Sequence, residues 1–164
     1  LNPKPLISFD PNARPAAAAN ESEATAMREA VMEWCAIADF IKVSDEDLRW
    51  IAPGAVEADT AATWSRMTNF VVMTRGADGA AVFVDGAFVF EVPGIKVDVI
   101  DTVGAGDTFM PWLIGGTVQA LEATTLEGLA HDVSKLQSIV ETAARAAAIN
   151  CSRRGCNPPY LSEL

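Results

Sequence analysis

The chain is 164 residues long, half of them apolar, and carries 12 basic against 22 acidic side chains for a formal charge of −10. That length fits one compact domain, and the apolar content, with a mean hydropathy of +0.19, excludes a disordered or low-complexity chain. The acidity repels a phosphate backbone and leaves no basic stripe, which argues against nucleic acid as a partner but not against a small anion held locally.

Leu6 to Phe9 form a short apolar run closed by Asp10-Pro11-Asn12, which predicts a buried strand and a turn. From Asn20 the period changes: Ala24, Met27, Val31, Trp34 and Ile37 or Ala38 recur every three to four residues. With Glu21 and Glu23 in its first turn, this is an amphipathic helix. Phe40 to Val43 read as the next strand, and Ser44 with Asp47 gives a weaker form of the capping box before a helix running to Pro53-Gly54. A further helix over about 58–67 leads to a strand at Phe70 to Met73. Ala80 to Val84 and Ala87 to Val92 are β-rich and joined by Asp85-Gly86, a pair suited to a type I′ turn. Val97 to Ile100 is another strand-like run. A helix follows through Leu113 and Leu121, then a short one near Leu126 to Ala130 and a long one from Val133 to about Asn150. Strands alternating with helices imply a largely parallel α/β sheet flanked by helices on both faces, with a hairpin near its end. The four tryptophans, at 34, 50, 64 and 112, fall on apolar helical positions and are expected in the core rather than on a ligand-stacking platform.

Cys35, Cys151, Cys156 and the single His131 form no zinc-like spacing, so reduced thiols and a cytoplasmic setting are expected. No apolar run reaches the roughly 18 residues of a membrane span. The longest charge-free stretch of note, Thr108 to Leu121, is interrupted by Pro111, Gly115 and Gly116. Leu1 to Lys4 show no signal-peptide layout, and a strand pattern that begins at once points to a chain starting inside something longer.

The most informative segment is Asp101-Thr-Val-Gly-Ala-Gly-Asp107, placed between a strand-like run and a helix, where free N–H groups and the positive end of the helix dipole bind anions. Gly104 and Gly106 admit close approach, and Ala105 is nearly as small. A dinucleotide GxGxxG would need Gly where Phe109 stands, and no Gly-Lys-Ser/Thr of a Walker loop occurs. A carboxylate beside an anion cradle then needs a separate task, and accepting the proton of an attacking hydroxyl during phosphoryl transfer is one. The plainer alternative for Asp107 is a helix N-cap.

DTVGAGD followed by Thr108-Phe109 resembles the signature of the ribokinase-type (pfkB) carbohydrate kinases. The resemblance implies that Asp107 is the catalytic base and that Gly104, Ala105 and Gly106 form the anion hole. Asp101 and the Val103 carbonyl match positions that hold a monovalent cation such as K+ in some relatives. Thr74-Arg-Gly76-Ala-Asp-Gly79 is similar to the TxGxxG stretch that contacts ATP phosphates. Val92 falls at the loop folded toward the adenine, and Asn150 lies on the late helix that lines the base pocket. Asp10-Pro-Asn12-Ala-Arg14 resembles the DPNxR stretch of fructokinases and 2-keto-3-deoxygluconate kinases, which turns Asn12 and Arg14 toward phosphate or the acidic end of the site; a surface Arg14 is the plainer alternative. Where many ribokinases carry Asn-x-x-Glu for Mg2+, this chain has Ser44 and Asp47. Asp47 is therefore the metal candidate, set against an ordinary charged first turn.

The resemblance covers the chain as the C-terminal, nucleotide-binding portion of one ribokinase-like domain, with the N-terminal half and the lid absent from it. It implies ATP and Mg2+ as cofactors, a small sugar as substrate, phosphoryl transfer of the fructokinase kind, and a homodimer formed through the lid. The alternative acceptor is 2-keto-3-deoxygluconate. The alternative of another class is a nucleotide-binding fragment or regulatory module without turnover.

Overall fold

A computed structural model describes residues 5–164; Leu1 to Lys4, where the sequence shows no signal-peptide layout, lie outside the described residues. Contacts divide the chain into two compact units, one running through Arg75 and taking in Ala81–Val89, the other made of Gly76–Ala80 and Phe90–Leu164.

The first unit follows the predicted alternation: β1 (Ser8–Phe9), α1 (Glu21–Cys35), β2 (Phe40–Ser44), α2 (Asp45–Ile51), α3 (Glu57–Trp64) and β3 (Val71–Thr74), then β4 (Ala80–Val84) and the start of β5 (Ala87–Val92). The sheet order is β1-β2-β3-β4-β5. β1 runs parallel to β2 with Phe9 opposite Ile41, and β2 parallel to β3 with Ile41 opposite Val71 and Ser44 opposite Thr74. Alternate residues explain the packing. Ile41, Val43, Val71, Met73, Ala81 and Phe83 point to one face and bury against Cys35, Leu48, Ile51, Ala61 and Trp64 from the helices. Phe40, Val72 and Val82, of opposite parity, are buried as well. Full burial of each large side chain contributes about 1.5–3 kcal/mol.

Local signals set the boundaries. Asn20 caps α1 by accepting from the Glu23 N–H at 3.0 Å. Ser44 and Asp47 complete a reciprocal capping box at α2. Asp85 (φ 52°) and Gly86 (φ 82°) both take positive φ, the geometry of the type I′ turn, and the Gly86 N–H donates to Ser65 Oγ at 2.9 Å.

The second unit contains α4 (Ala105–Ala120), α5 (Leu126–His131) and α6 (Val133–Cys151). α4 and α6 pack against each other, and Gly116 lets them approach: an added Cβ would lie 2.7 Å from Ile139 Cγ2. Pro111 sits inside α4. Lacking an N–H, it leaves the carbonyl of Asp107, four residues back, without its intrahelical donor.

Three expectations need correction. Val97 to Ile100 form no strand; Val99 and Ile100 are 63% and 62% exposed. The run finds no ladder partner, and the Ile100 N–H bonds instead to Cys151 O at 2.9 Å. The third predicted strand begins at Val71 rather than Phe70. Of the four tryptophans only Trp64 is core. Trp34 is 53% exposed and stacks on Phe9, Trp50 lies under the Arg28 guanidinium, and Trp112 is half-buried. No helix among the described residues is long and apolar enough to cross a membrane.

Candidate functional site

Ligands of open parallel sheets bind beyond the carboxyl ends of the strands. In the first unit that edge carries the 10–14 loop after β1, the β2–α2 junction and Thr74 at the end of β3. The loop is tied down by carboxylates. Asp10 accepts from the Asn12 N–H at 3.2 Å and from Lys42 Nζ at 3.0 Å, and Lys42 is 5% exposed. Burial pushes the Asp10 carboxyl up and the Lys42 charge pulls it back in part. Asp47 Oδ1 accepts from the Ala13 N–H at 3.0 Å and Oδ2 from the Ser44 N–H at 3.4 Å. Asn12, Arg14 and Asp47 are therefore brought together, as members of one hydrogen-bonded loop.

The donor count changes what these residues offer. Both Asp47 oxygens already accept backbone N–H groups, so Asp47 is accounted for as a cap and a tether. Among the described residues no group of three or more His, Cys, Asp or Glu could hold a metal ion. The described residues thus offer no cage of their own for Mg2+. Arg14 folds back on its own loop, Nη1 donating to the Asn12 and Ala13 carbonyls at 3.2 and 3.0 Å. Its exposed Nε and Nη2 face no partner among the described residues. The Thr74 hydroxyl donates to Val43 O at 3.4 Å.

In the second unit the TxGxxG turn closes with Gly79 N–H donating to Gly76 O at 3.2 Å, both glycines at positive φ. It packs directly on the exit of β5: a Cβ on Gly79 would overlap Val92 O and one on Gly94 would overlap Ala77 O. Gly76, Gly79 and Val92 thus form one backbone cluster.

The head of α4 is the other cluster. Gly104 is its N-cap at φ 77°, without a side-chain cap, and Asp107 is the third helical residue rather than the cap itself. A Cβ on Gly104 would overlap Cys156 Sγ. The Ala105 N–H donates to Thr102 O at 3.2 Å and the Thr108 N–H to Gly104 O at 2.8 Å. Ala105 is thereby engaged, whereas the N–H groups of Gly106 and Asp107 have no partner among the described residues. The Asp107 amide is a donor the sequence reading missed; it is found only by counting which first-turn N–H groups go unpaired. The Asp107 side chain is exposed and its carboxylate, too, meets no partner among the described residues.

Asp101 and Val103 hold this head in place. Asp101 accepts from the Val103 N–H at 3.0 Å and from the Gly155 N–H at 2.9 Å. Those bonds, Val103 first, hold its carboxyl below the usual range. Val103 O accepts from Asn150 Nδ2 at 2.8 Å. The two positions proposed for a monovalent cation thus each accept hydrogen bonds from the protein. Asn150 is fully buried and its Oδ1 accepts from the Asn157 N–H at 2.8 Å, so its amide holds backbone instead of facing a base. The neighbouring Cys151 thiol is pushed up by burial and by the Asp101 charge. Thr108, beside Asp107, is buried with its hydroxyl unpartnered among the described residues. Two free amides at a positive helix end next to an uncommitted carboxylate can bind an anion and accept a proton.

The profile of the pfkB family carbohydrate kinases matches residues 4–163. The chain belongs to that family. This pfkB chain is 30% identical over 155 residues to fructokinase-2 of Zea mays, covering 93% of itself and 43% of that relative. Its structure is similar to a double-mutant fructokinase from Vibrio cholerae O395 in its fructose, ADP and potassium ion bound form, with TM-score 0.70 and 27% identity over 92% of this chain and 46% of that one. It is also similar to the aminoimidazole riboside kinase from Salmonella enterica complexed with aminoimidazole riboside and an ATP analog, with TM-score 0.69 and 26% identity over 92% of this chain and 47% of that one. The pfkB chain therefore spans less than half the length of each. The largely parallel α/β architecture expected from the sequence is the ribokinase-like fold of these kinases.

Proposed function

We propose that this chain is the nucleotide-binding, C-terminal portion of an ATP-dependent sugar kinase, with fructose as the leading acceptor. The observation that carries the reading is the α4 head: an exposed, unpartnered Asp107 carboxylate beside the free N–H groups of Gly106 and Asp107, in a pfkB chain. Asp107 takes the proton of the sugar hydroxyl as its oxygen attacks the γ-phosphorus of Mg-ATP, and ADP leaves. The two amides stabilise the charge developing on the transferred phosphoryl oxygens. In the second unit the Gly76–Gly79 turn offers backbone to the nucleotide; in the first, Arg14 presents an exposed guanidinium edge suited to an anion. Fructokinases among the relatives, one bound to fructose and ADP, support the acceptor and the donor. The sugar lid and the dimer contact are assigned to the remainder of the whole protein, working in the cytoplasm.

The test is ADP formation by the whole protein over a sugar panel. Fructose-dependent ADP is expected. Turnover only with 2-keto-3-deoxygluconate would replace the acceptor, and nucleotide binding without transfer to any sugar would make the protein a binding module.

A further inference from the structure

In an uninterrupted helix the Asp107 N–H would bond to the carbonyl four residues earlier, which is Val103 O. That acceptor is taken: Asn150 Nδ2 donates to Val103 O at 2.8 Å from a fully buried position at the end of α6. The carboxamide is fixed from its other side, Oδ1 accepting the Asn157 N–H at 2.8 Å. The same stretch is tied by three more bonds: the Ile100 and Asp101 N–H groups to Cys151 O at 2.9 and 3.2 Å, and the Gly155 N–H to Asp101 Oδ2 at 2.9 Å. Between the held carbonyl and the helix stands Gly104 at φ 77°, the left-handed conformation that only a glycine adopts readily.

We propose that Asn150 is a positioning residue for phosphoryl transfer: by holding the Val103 carbonyl it keeps that acceptor off the Asp107 N–H and leaves the amide free for the transferred phosphoryl group. The inference rests on the kinase reading above. Asn suits the task because one short, rigid side chain presents a donor to Val103 and an acceptor to Asn157 at once. Losing the donor frees the Val103 carbonyl, and the amide four residues on, its counterpart in helical register, is that of Asp107.

Two variants separate the arms of the amide in the whole protein. Asn150→Asp keeps the acceptor for Asn157 but removes the donor to Val103; Asn150→Ala removes both. Ile139→Ala, which loosens α6 against Gly116 well away from the loop, serves as the purely structural control. Both Asn150 variants are expected to lose roughly ten- to a hundredfold in kcat, the scale of a lost oxyanion donor, with KM for ATP moving by less than about threefold. Amide exchange at Asp107 is expected to slow, since that N–H gains Val103 O, whereas simple loosening would speed it. Unchanged kcat in Asn150 variants that merely melt lower, as Ile139→Ala does, would overturn the proposal. Should the wild-type protein transfer phosphate to no sugar, the kinase reading fails on its own. The exchange rate still decides the Asn150 contact, and unchanged or faster exchange at Asp107 overturns it.

Discussion

Two regions hold the acidic residues singled out in this chain, and the head of α4 leaves one of its own uncommitted. Around the loop after β1, Asp10 within it and Asp47 at the start of α2 each accept two hydrogen bonds, from Asn12 and Lys42 in one case and Ala13 and Ser44 in the other. At the head of α4, Asp101 is closed in the same manner by Val103 and Gly155, whereas Asp107, six residues on, meets no partner among the described residues. The same side chain is a brace where donors surround it and a reagent where they do not. Counting donors around each carboxylate therefore separates them better than counting carboxylates.

The contrast is sharpest in Asp107→Asn. Turnover of the whole protein should fall by about 10²- to 10⁴-fold, the range for loss of a general base, while the melting temperature stays near that of wild type because the carboxylate holds no other group. A large drop in stability would break the distinction between brace and reagent. Asp10→Ala should do the reverse. It leaves Lys42 buried and unpaired, and breaking such a pair destabilises by about 3–5 kcal/mol, measurable by urea unfolding; a cost near zero would show that Lys42 reaches water. The smallest effect separates the two braces by pH. The Asp101 carboxyl is held below its ordinary 3.8 in the folded chain, so its stabilisation is present above that value and is lost as pH falls through the folded pKa. Asp101→Asn should flatten the acid limb of the stability profile. The Asp10 carboxyl is raised above 3.8; its contribution is full below that pH and declines as pH rises through the folded value. Acid titrations of the two Asn variants should therefore deviate from wild type in opposite directions.

Features decided within a few residues were legible in the sequence. Asp85-Gly86 set the hairpin because both positions need positive φ, and Ser44 with Asp47 set the start of α2 because the cap is local. The DTVGAGD segment pointed to the α4 head for the same reason. What depended on distant partners was not legible. Nothing in the helical period of α1 tells that Trp34 lies on the exposed side against Phe9, or that Val97 to Ile100 lack a neighbouring strand. Asn150 read as pocket lining because its helix was recognised, but its bond to Val103 spans 47 residues of sequence. Likewise, that Gly106 and Asp107 rather than Ala105 hold the open amides depends on how the 101–104 turn closes.

Pro111 bears on the order in which this head is built. Helix growth proceeds by adding one hydrogen bond per residue to an existing turn, and a proline at 111 withholds the bond that would extend α4 back to Asp107. The first turn therefore leans more heavily on the contacts around 101–104 and 150–157. Recovery of turnover on refolding should therefore lag behind recovery of the circular dichroism signal.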